Sequence, residues 1–203
     1  MSVPSCDYME SKMTKNCING IDVDRLQVTR DLIQTDGDGL IARPQYQAAV
    51  IWNNGYHTTS CVTDGQKIIG DEPEQYGGGG AGLTPQDMLL SAIGHCLTAT
   101  YIGGLSAAGI TVKHLQLSVS GRVNFRSAFG LETGNPGFEN IGITVDIRTD
   151  SSPEDVKEIL TKLLKTAPIP DTIIRPVPLD IEIICKENER NSEFSHSQEG
   201  EQR

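Results

Sequence analysis

Residues 91–100, SAIGHCLTAT, place a histidine and a cysteine side by side in the least charged part of the chain. Between residues 88 and 112, only His95 and a thiolate form of Cys96 can carry charge near neutral pH. A thiolate is a nucleophile and can be oxidised to a sulfenic acid. Adjacent side chains of a helix point about 100° apart, so His95 is not expected to be the direct base for Cys96.

The positions three and four residues from Cys96 decide how a helix would surround it. They are occupied by Ala92, Ile93, Ala99 and Thr100. This small, largely apolar face lets another element approach closely, and an apolar environment disfavours a thiolate. Two interpretations of Cys96 stay open: a reactive centre, or a small hydrophobic residue in a core.

The other histidines and cysteines do not form a metal site or a disulfide framework. His95 shares a helical stripe with Asp87, Ser91 and Thr98, which favours a structural histidine or a polar residue that supports a site. No histidines stand at metal-ligand spacing. The five cysteines are Cys6, Cys17, Cys61, Cys96 and Cys185. Their odd number and wide spacing predict neither disulfides nor zinc, and neither a metal nor a cofactor is predicted.

The glycine-rich stretch GGGGAG, residues 77–82, formally fits the G-x-G-x-x-G pattern of a dinucleotide site. The acidic side chains of Asp71, Glu72 and Glu74 precede it and would repel a pyrophosphate. No strand–helix–strand unit surrounds it. We therefore interpret this stretch as a turn into the following helix.

The elements that must position Cys96 follow from capping signals and periodicity. Thr84, Pro85 and Asp87 begin a helix that ends near residue 106. A meander of three short strands is predicted before it, and two strands of strict alternation after it. An amphipathic helix at 152–166 precedes a last strand at 177–185, with Cys185 on its core face. The order predicts an α+β fold with a mainly antiparallel sheet.

Composition narrows the partners. The 203 residues carry a net charge of −10, which argues against nucleic acid or an anionic membrane and leaves small neutral or cationic ligands open. The first 20 residues lack a signal peptide, so we expect a cytoplasmic protein. Residues 88–112 are long enough to span a bilayer, but their polar residues and glycines favour a helix buried on all sides by protein. Residues 1–17 and 186–203 are predicted to be mobile or disordered ends.

Several motifs, taken in order, resemble those of the OsmC/Ohr family of osmotically inducible and organic hydroperoxide resistance proteins. They are NGIDVD, AVIWNNGYHT, DEP with its glycine run, GLTPQDMLLSAIGHCLTATYIGGLSAAGI, VKHLQLSVSGRV and PIPDTIIRPVPLDIEI. The resemblance covers residues 18–185. It implies about six mainly antiparallel strands around long central helices, and an interlocked homodimer with an active site at the interface.

The resemblance also implies a thiol peroxidase in which Cys96 attacks an organic hydroperoxide. The family's resolving cysteine is replaced here by Ala167, and its activating glutamate by Gln86, with Asp87 one residue late. The activating arginine has no counterpart near Tyr56 and His57. An enzyme with these residues would need an external thiol as reductant, unless Cys61 resolves the sulfenic acid. The alternative is a non-enzymatic protein that binds a small hydrophobic ligand.

Overall fold

The computed structural model describes residues 16–186. The helices are α1 (Val23–Asp36), α2 (Pro85–Ala107), α3 (Phe125–Ala128), α4 (Pro153–Leu164) and α5 (Pro168–Ile174). The strands are β1 (Cys17–Ile18), β2 (Ile21–Asp22), β3 (Ala48–Asn54), β4 (His57–Val62), β5 (Lys67–Gly70), β6 (Val112–Val123) and β7 (Phe138–Thr149). Single 3-10 turns lie at Thr63–Gly65 and Glu74–Tyr76. The predicted end segments fall almost wholly outside the described residues.

All strand pairs within 16–186 are antiparallel, so the predicted α+β class is confirmed. Strands β3, β4 and β5 form one meander, β6 and β7 form a long hairpin, and β1 and β2 form a two-residue ladder. The hairpin pairs Leu117 with Val145 and Val119 with Ile143. Within one chain the strands are thus divided between separate small sheets.

Helix α2 is the centre of the fold, and it begins where the capping signals predict. The Thr84 hydroxyl accepts a hydrogen bond from the backbone N–H of Asp87 (3.1 Å), and Pro85 is the first helical residue. Ile93, Leu97, Tyr101 and Leu105 recur every four residues along one side of α2, and all are buried. This side packs against β6, α4 and α5.

The other side of α2 is not covered by this chain. Ser91, His95, Thr98 and Ala99 are exposed, so residues 16–186 of one chain do not by themselves bury the helix on all sides. In the same part of the chain, α2 is long and apolar enough to cross a membrane by length and composition alone. The core helix of a soluble protein has the same length and composition. The four buried residues named above all belong to α2, which agrees with a core helix.

Two glycines within α2 make opposite demands on their neighbours. A Cβ at Gly104 would overlap the end of the Leu163 side chain on α4, whereas a Cβ at Gly94 would lie 3.5 Å from Val119 Cγ2, an ordinary contact. Gly104 therefore allows α2 and α4 to approach closely. Leu163 packs against the hydrophobic core, which limits its ability to move aside.

Gly104→Ala is expected to be less stable than its matched control Gly94→Ala. Both variants gain about 1 kcal/mol of helix propensity, so the difference between them isolates the overlap with Leu163. Overpacking of this kind costs about 1–3 kcal/mol. Urea unfolding of the two variants measures the difference, and equal stabilities would contradict the close approach of α2 and α4.

The segment predicted as the last strand has no regular secondary structure in this chain. Leu179, Ile181 and Ile183 are 83%, 76% and 81% exposed, and Cys185 is exposed as well. The prediction of a strand with Cys185 on its core face is therefore wrong here. The alternation of apolar residues is present, but a strand also needs a neighbour for its backbone hydrogen bonds, and these residues pair with no strand within 16–186.

Candidate functional site around Cys96

Cys96 lies on α2 at the boundary between the covered and uncovered sides of the helix. It is half-buried and packs against a cluster formed by Ile93, Leu97, Tyr101 and Ala167. Its carbonyl oxygen accepts a hydrogen bond from the Thr100 hydroxyl (2.9 Å). Within residues 16–186, no hydrogen bond or ion pair engages the sulfur. The thiol is therefore held by packing, with one side open.

Ala167, which the resemblance aligns with the family's resolving cysteine, belongs to the cluster against which Cys96 packs. It is fully buried and precedes the first helical residue of α5, Pro168. The cluster against which Cys96 packs thus includes a position that is 71 residues later in the sequence. This neighbourhood depends on the packing of α2 and α5, which sequence periodicity does not describe.

Gln86 and Asp87 are not brought to Cys96 within this chain. They lie ten and nine residues before it on the same helix, which places them about 14–15 Å away along the axis at 1.5 Å per residue. The Asp87 carboxylate accepts hydrogen bonds from the Thr84 hydroxyl (2.7 Å) and its backbone N–H (3.4 Å). Asp87 therefore has a structural function as part of the helix cap.

The polar stripe of α2 lines a groove of about 390 Å³ against β6. The stripe residues are Asp87, Ser91, His95 and Thr98, and they face Leu117 and Val119 of the strand. Their shared position on the helix is as the sequence predicts. The groove excludes Cys96, which agrees with the expectation that His95 is not its direct base.

A second cavity is apolar and begins one helical turn from Cys96. It has a volume of about 540 Å³ and lies between α2, β7 and α5. Its lining is Leu89, Ile93, Phe138, Asn140, Ile141, Ile143, Leu164, Pro170, Ile173 and Ile174. One polar side chain, Asn140, is present among these residues. The cavity is suited to an alkyl or aryl group, and sequence reasoning did not identify it because its walls come from four separate segments.

The glycine-rich turn before α2 is built around a buried carboxylate. Asp71 is 4% exposed and accepts hydrogen bonds from the backbone N–H groups of Glu72 (2.8 Å), Gly79 (3.2 Å) and Ala81 (3.0 Å). The bond from Ala81 contributes most to holding the pKa of Asp71 below its ordinary value, while desolvation opposes it.

Two features argue against a phosphate site in this turn. The N–H groups of Gly79 and Ala81 that would cradle a phosphate are already occupied by Asp71. At Gly78 a Cβ would overlap the backbone of Glu72, so this glycine is required by close packing. The interpretation of residues 77–82 as a turn agrees with this arrangement.

Of the remaining sequence candidates, Cys61 and His57 both lie on β4. Cys61 is half-buried, is not in a disulfide, and pairs with Ala49 and Lys67 in the meander. The His57 ring lies 2.9 Å from the Asn53 amide nitrogen. Within residues 16–186, no group of three or more His, Cys, Asp or Glu side chains is arranged to hold a metal ion.

Comparison with known proteins adds the family context. Residues 77–182, slightly more than half of the chain, match the family model described as OsmC-like protein. Among curated proteins no sequence matches.

Solved structures of several bacterial proteins are similar to this fold. An OsmC-like protein from Mycoplasma pneumoniae is 22% identical with a TM-score of 0.57, over 65% of this chain and 89% of that one. A protein from Psychrobacter arcticus named for osmotic stress induction and detoxification response is 14% identical with a TM-score of 0.53, over 64% of this chain and 89% of that one. A protein from Aquifex aeolicus is 15% identical with a TM-score of 0.52, over 64% of this chain and 87% of that one. At these identities the similarity establishes the fold.

Proposed function

The chain belongs to the OsmC family, and on that basis we propose that it reduces organic hydroperoxides, with Cys96 as the nucleophile and an external thiol as the reductant. The observation that carries the proposal is the position of Cys96, half-buried on the central helix and packed against the cluster that contains Ala167. The apolar cavity that begins at Ile93 supports it, since it would hold the organic group of the hydroperoxide.

The proposed reaction proceeds in two stages. The Cys96 thiolate attacks one peroxide oxygen, so an S–O bond forms, the O–O bond breaks, and the alkoxide leaves as an alcohol after taking a proton. The product on the protein is a sulfenic acid. An external thiol then displaces water to form a mixed disulfide, and a second thiol attacks that disulfide and restores the Cys96 thiol.

One stoichiometric dose of cumene hydroperoxide tests this mechanism. We expect a sulfenic acid on Cys96 that persists, because Ala167 cannot resolve it, and it should be trapped by dimedone and located by mass spectrometry of peptides. Little intramolecular disulfide should form. A rapid disulfide between Cys61 and Cys96 would contradict the one-cysteine mechanism, and a Cys96 that stays reduced in excess hydroperoxide would contradict peroxidase activity.

We propose further that the protein is a cytoplasmic homodimer in which a second copy covers the open side of α2. Supporting this, β3 exposes large apolar side chains from both faces, including Val50 (65%), Ile51 (59%) and Trp52 (67%). Two exposed residues of α2 near Cys96, Thr98 and Ala99, are small, which permits close approach of another helix. The Cys96 site would then lie at the interface.

Ala99→Glu is expected to break or weaken the dimer. Ala99 lies on the open side of α2 one turn from Cys96, so the carboxylate of the introduced glutamate would lose its water in the interface. Ala128→Glu on α3 is the matched control, since Ala128 is also an exposed helical alanine. Light scattering after size-exclusion chromatography should show a dimer for the wild type and the control. A folded wild-type monomer at micromolar concentration would contradict the proposal.

The second candidate function is the binding of a small hydrophobic ligand without catalysis. The apolar cavity of about 540 Å³ favours it, because that volume is within the range of ligand pockets. The two functions differ in what Cys96 does. A binding protein would retain a fluorescent fatty acid equally well as wild type and as Cys96→Ser, and would consume no hydroperoxide.

A further inference from the structure

A third cavity collects a large share of the aromatic side chains of this protein. The chain has one Trp, five Tyr and four Phe. Four of these ten, Tyr56, Tyr76, Phe125 and Phe129, line one cavity of about 280 Å³ together with Glu72, Gln86 and Ala128. The residues come from the β3–β4 turn, the loop before α2, the start of α2 and the segment around α3. Aromatic side chains from separate segments of the chain therefore meet at one cavity.

The Phe125 ring stands nearly at right angles to the rings of Tyr76 and Phe129. The Phe125 ring is 5.2 Å from that of Tyr76 with an angle of 79° between their planes, and 6.0 Å from that of Phe129 with an angle of 89°. Tyr56 lies beside Gly77, where a Cβ would be 3.8 Å from its ring. All four rings line the cavity, and the face of an aromatic ring attracts cations.

The charges around this aromatic cavity are also suited to a cation. Glu72 is half-buried and is the one ionisable carboxylate in the lining, which contains neither lysine nor arginine. The neighbouring cation on α3, Arg126, is directed to Glu132, with its Nε 2.9 Å from the carboxylate. Tyr56 and Tyr76 add hydroxyl groups. A net charge of −10 would attract a cation to the protein from a distance.

We propose that this aromatic cavity binds an organic ammonium ion. The Glu72 carboxylate would neutralise the charge, the aromatic rings would attract it through their faces, and Ala128 would contact the alkyl groups of the ligand. Within one chain the site is separate from Cys96, because Gln86 is about 15 Å from that residue along α2. The experiment below measures binding of the ammonium ion directly, so its outcome does not depend on peroxidase activity.

Titration calorimetry on the wild-type protein tests the proposal with two probes of the same shape. Choline carries a quaternary ammonium group, and 3,3-dimethylbutan-1-ol replaces the charged nitrogen with carbon. We expect choline to bind with a Kd of about 1 mM or tighter, and the neutral alcohol at least tenfold more weakly. Equal affinities, or no binding of choline at 20 mM, would overturn the proposal.

Substitutions then locate the site. Phe129→Leu and Glu72→Gln should each weaken choline binding about threefold to tenfold. Both change partly exposed side chains, so the fold should survive. Tyr46→Leu is the matched control, because Tyr46 is 84% exposed and lies outside the cavity. Equal weakening by the control, or none by the two cavity variants, would place the binding elsewhere and refute this assignment.

Discussion

Cys96→Ser is expected to reduce hydroperoxide consumption to the rate of the thiol reductant alone. A serine hydroxyl does not ionise at neutral pH without a base, and its oxygen cannot take up the peroxide oxygen as sulfur does. The substitution keeps the size of a half-buried side chain that packs against the core cluster. Folding and oligomeric state should therefore be retained, as judged by circular dichroism and light scattering.

Cys61→Ser and Cys185→Ser are the controls for this loss. Cys61 lies on β4 within the meander, and Cys185 is exposed in a segment without secondary structure. Both variants should retain the full rate when hydroperoxide consumption is coupled to an external thiol. A loss of activity in Cys61→Ser equal to that in Cys96→Ser would show that the mechanism uses two cysteines. Activity in Cys96→Ser would exclude Cys96 as the nucleophile.

The sequence was sufficient to predict the features that depend on local chemistry. The start of α2 follows from Thr84, Pro85 and Asp87, which are adjacent in the chain and whose hydrogen bonds are made within one turn. The β6–β7 hairpin follows from alternating apolar residues. The same reasoning placed His95 on the polar stripe and away from the Cys96 thiol.

Features that depend on contacts between distant segments were not predictable in this way. The alternation in residues 177–185 predicted a strand, but the segment has no pairing partner within the described chain, and its side chains are exposed. The aromatic cavity joins residues as far apart as Tyr56 and Phe129. The sequence carried one indication of this cavity. Aromatic residues are scarce in the chain, yet Phe125 and Phe129 lie close together on either side of Arg126.

The resemblance to the family implies that Ala167 lies close to Cys96, and the distance between them depends on how α5 packs against α2. Ala167 is fully buried in the cluster that Cys96 contacts, although α5 is only seven residues long. If this packing places the two Cβ atoms about 3.5–4.5 Å apart, a disulfide can form without distortion. The distance between positions 96 and 167 can therefore be tested by whether a disulfide forms between them.

Ala167→Cys is expected to convert the protein into a two-cysteine peroxidase. After one dose of cumene hydroperoxide, the sulfenic acid on Cys96 should be replaced by a disulfide to residue 167, because the new thiol attacks at a high effective concentration. Dimedone labelling of Cys96 should fall at least about tenfold, and turnover should respond to a dithiol reductant better than to a monothiol. Peptide mapping under non-reducing conditions identifies the bond.

The matched control for this conversion is Ala107→Cys, which adds a cysteine at the exposed end of α2, about 16 Å along the axis from Cys96. It should keep the persistent sulfenic acid of the wild type. Thermal unfolding of reduced Ala167→Cys separates a failure of packing from a failure of chemistry, since a sulfur atom must fit a fully buried position. If the folded variant retains a long-lived sulfenic acid on Cys96, Ala167 does not occupy a resolving position, and the assignment of Cys96 as the peroxidatic residue loses its main structural support.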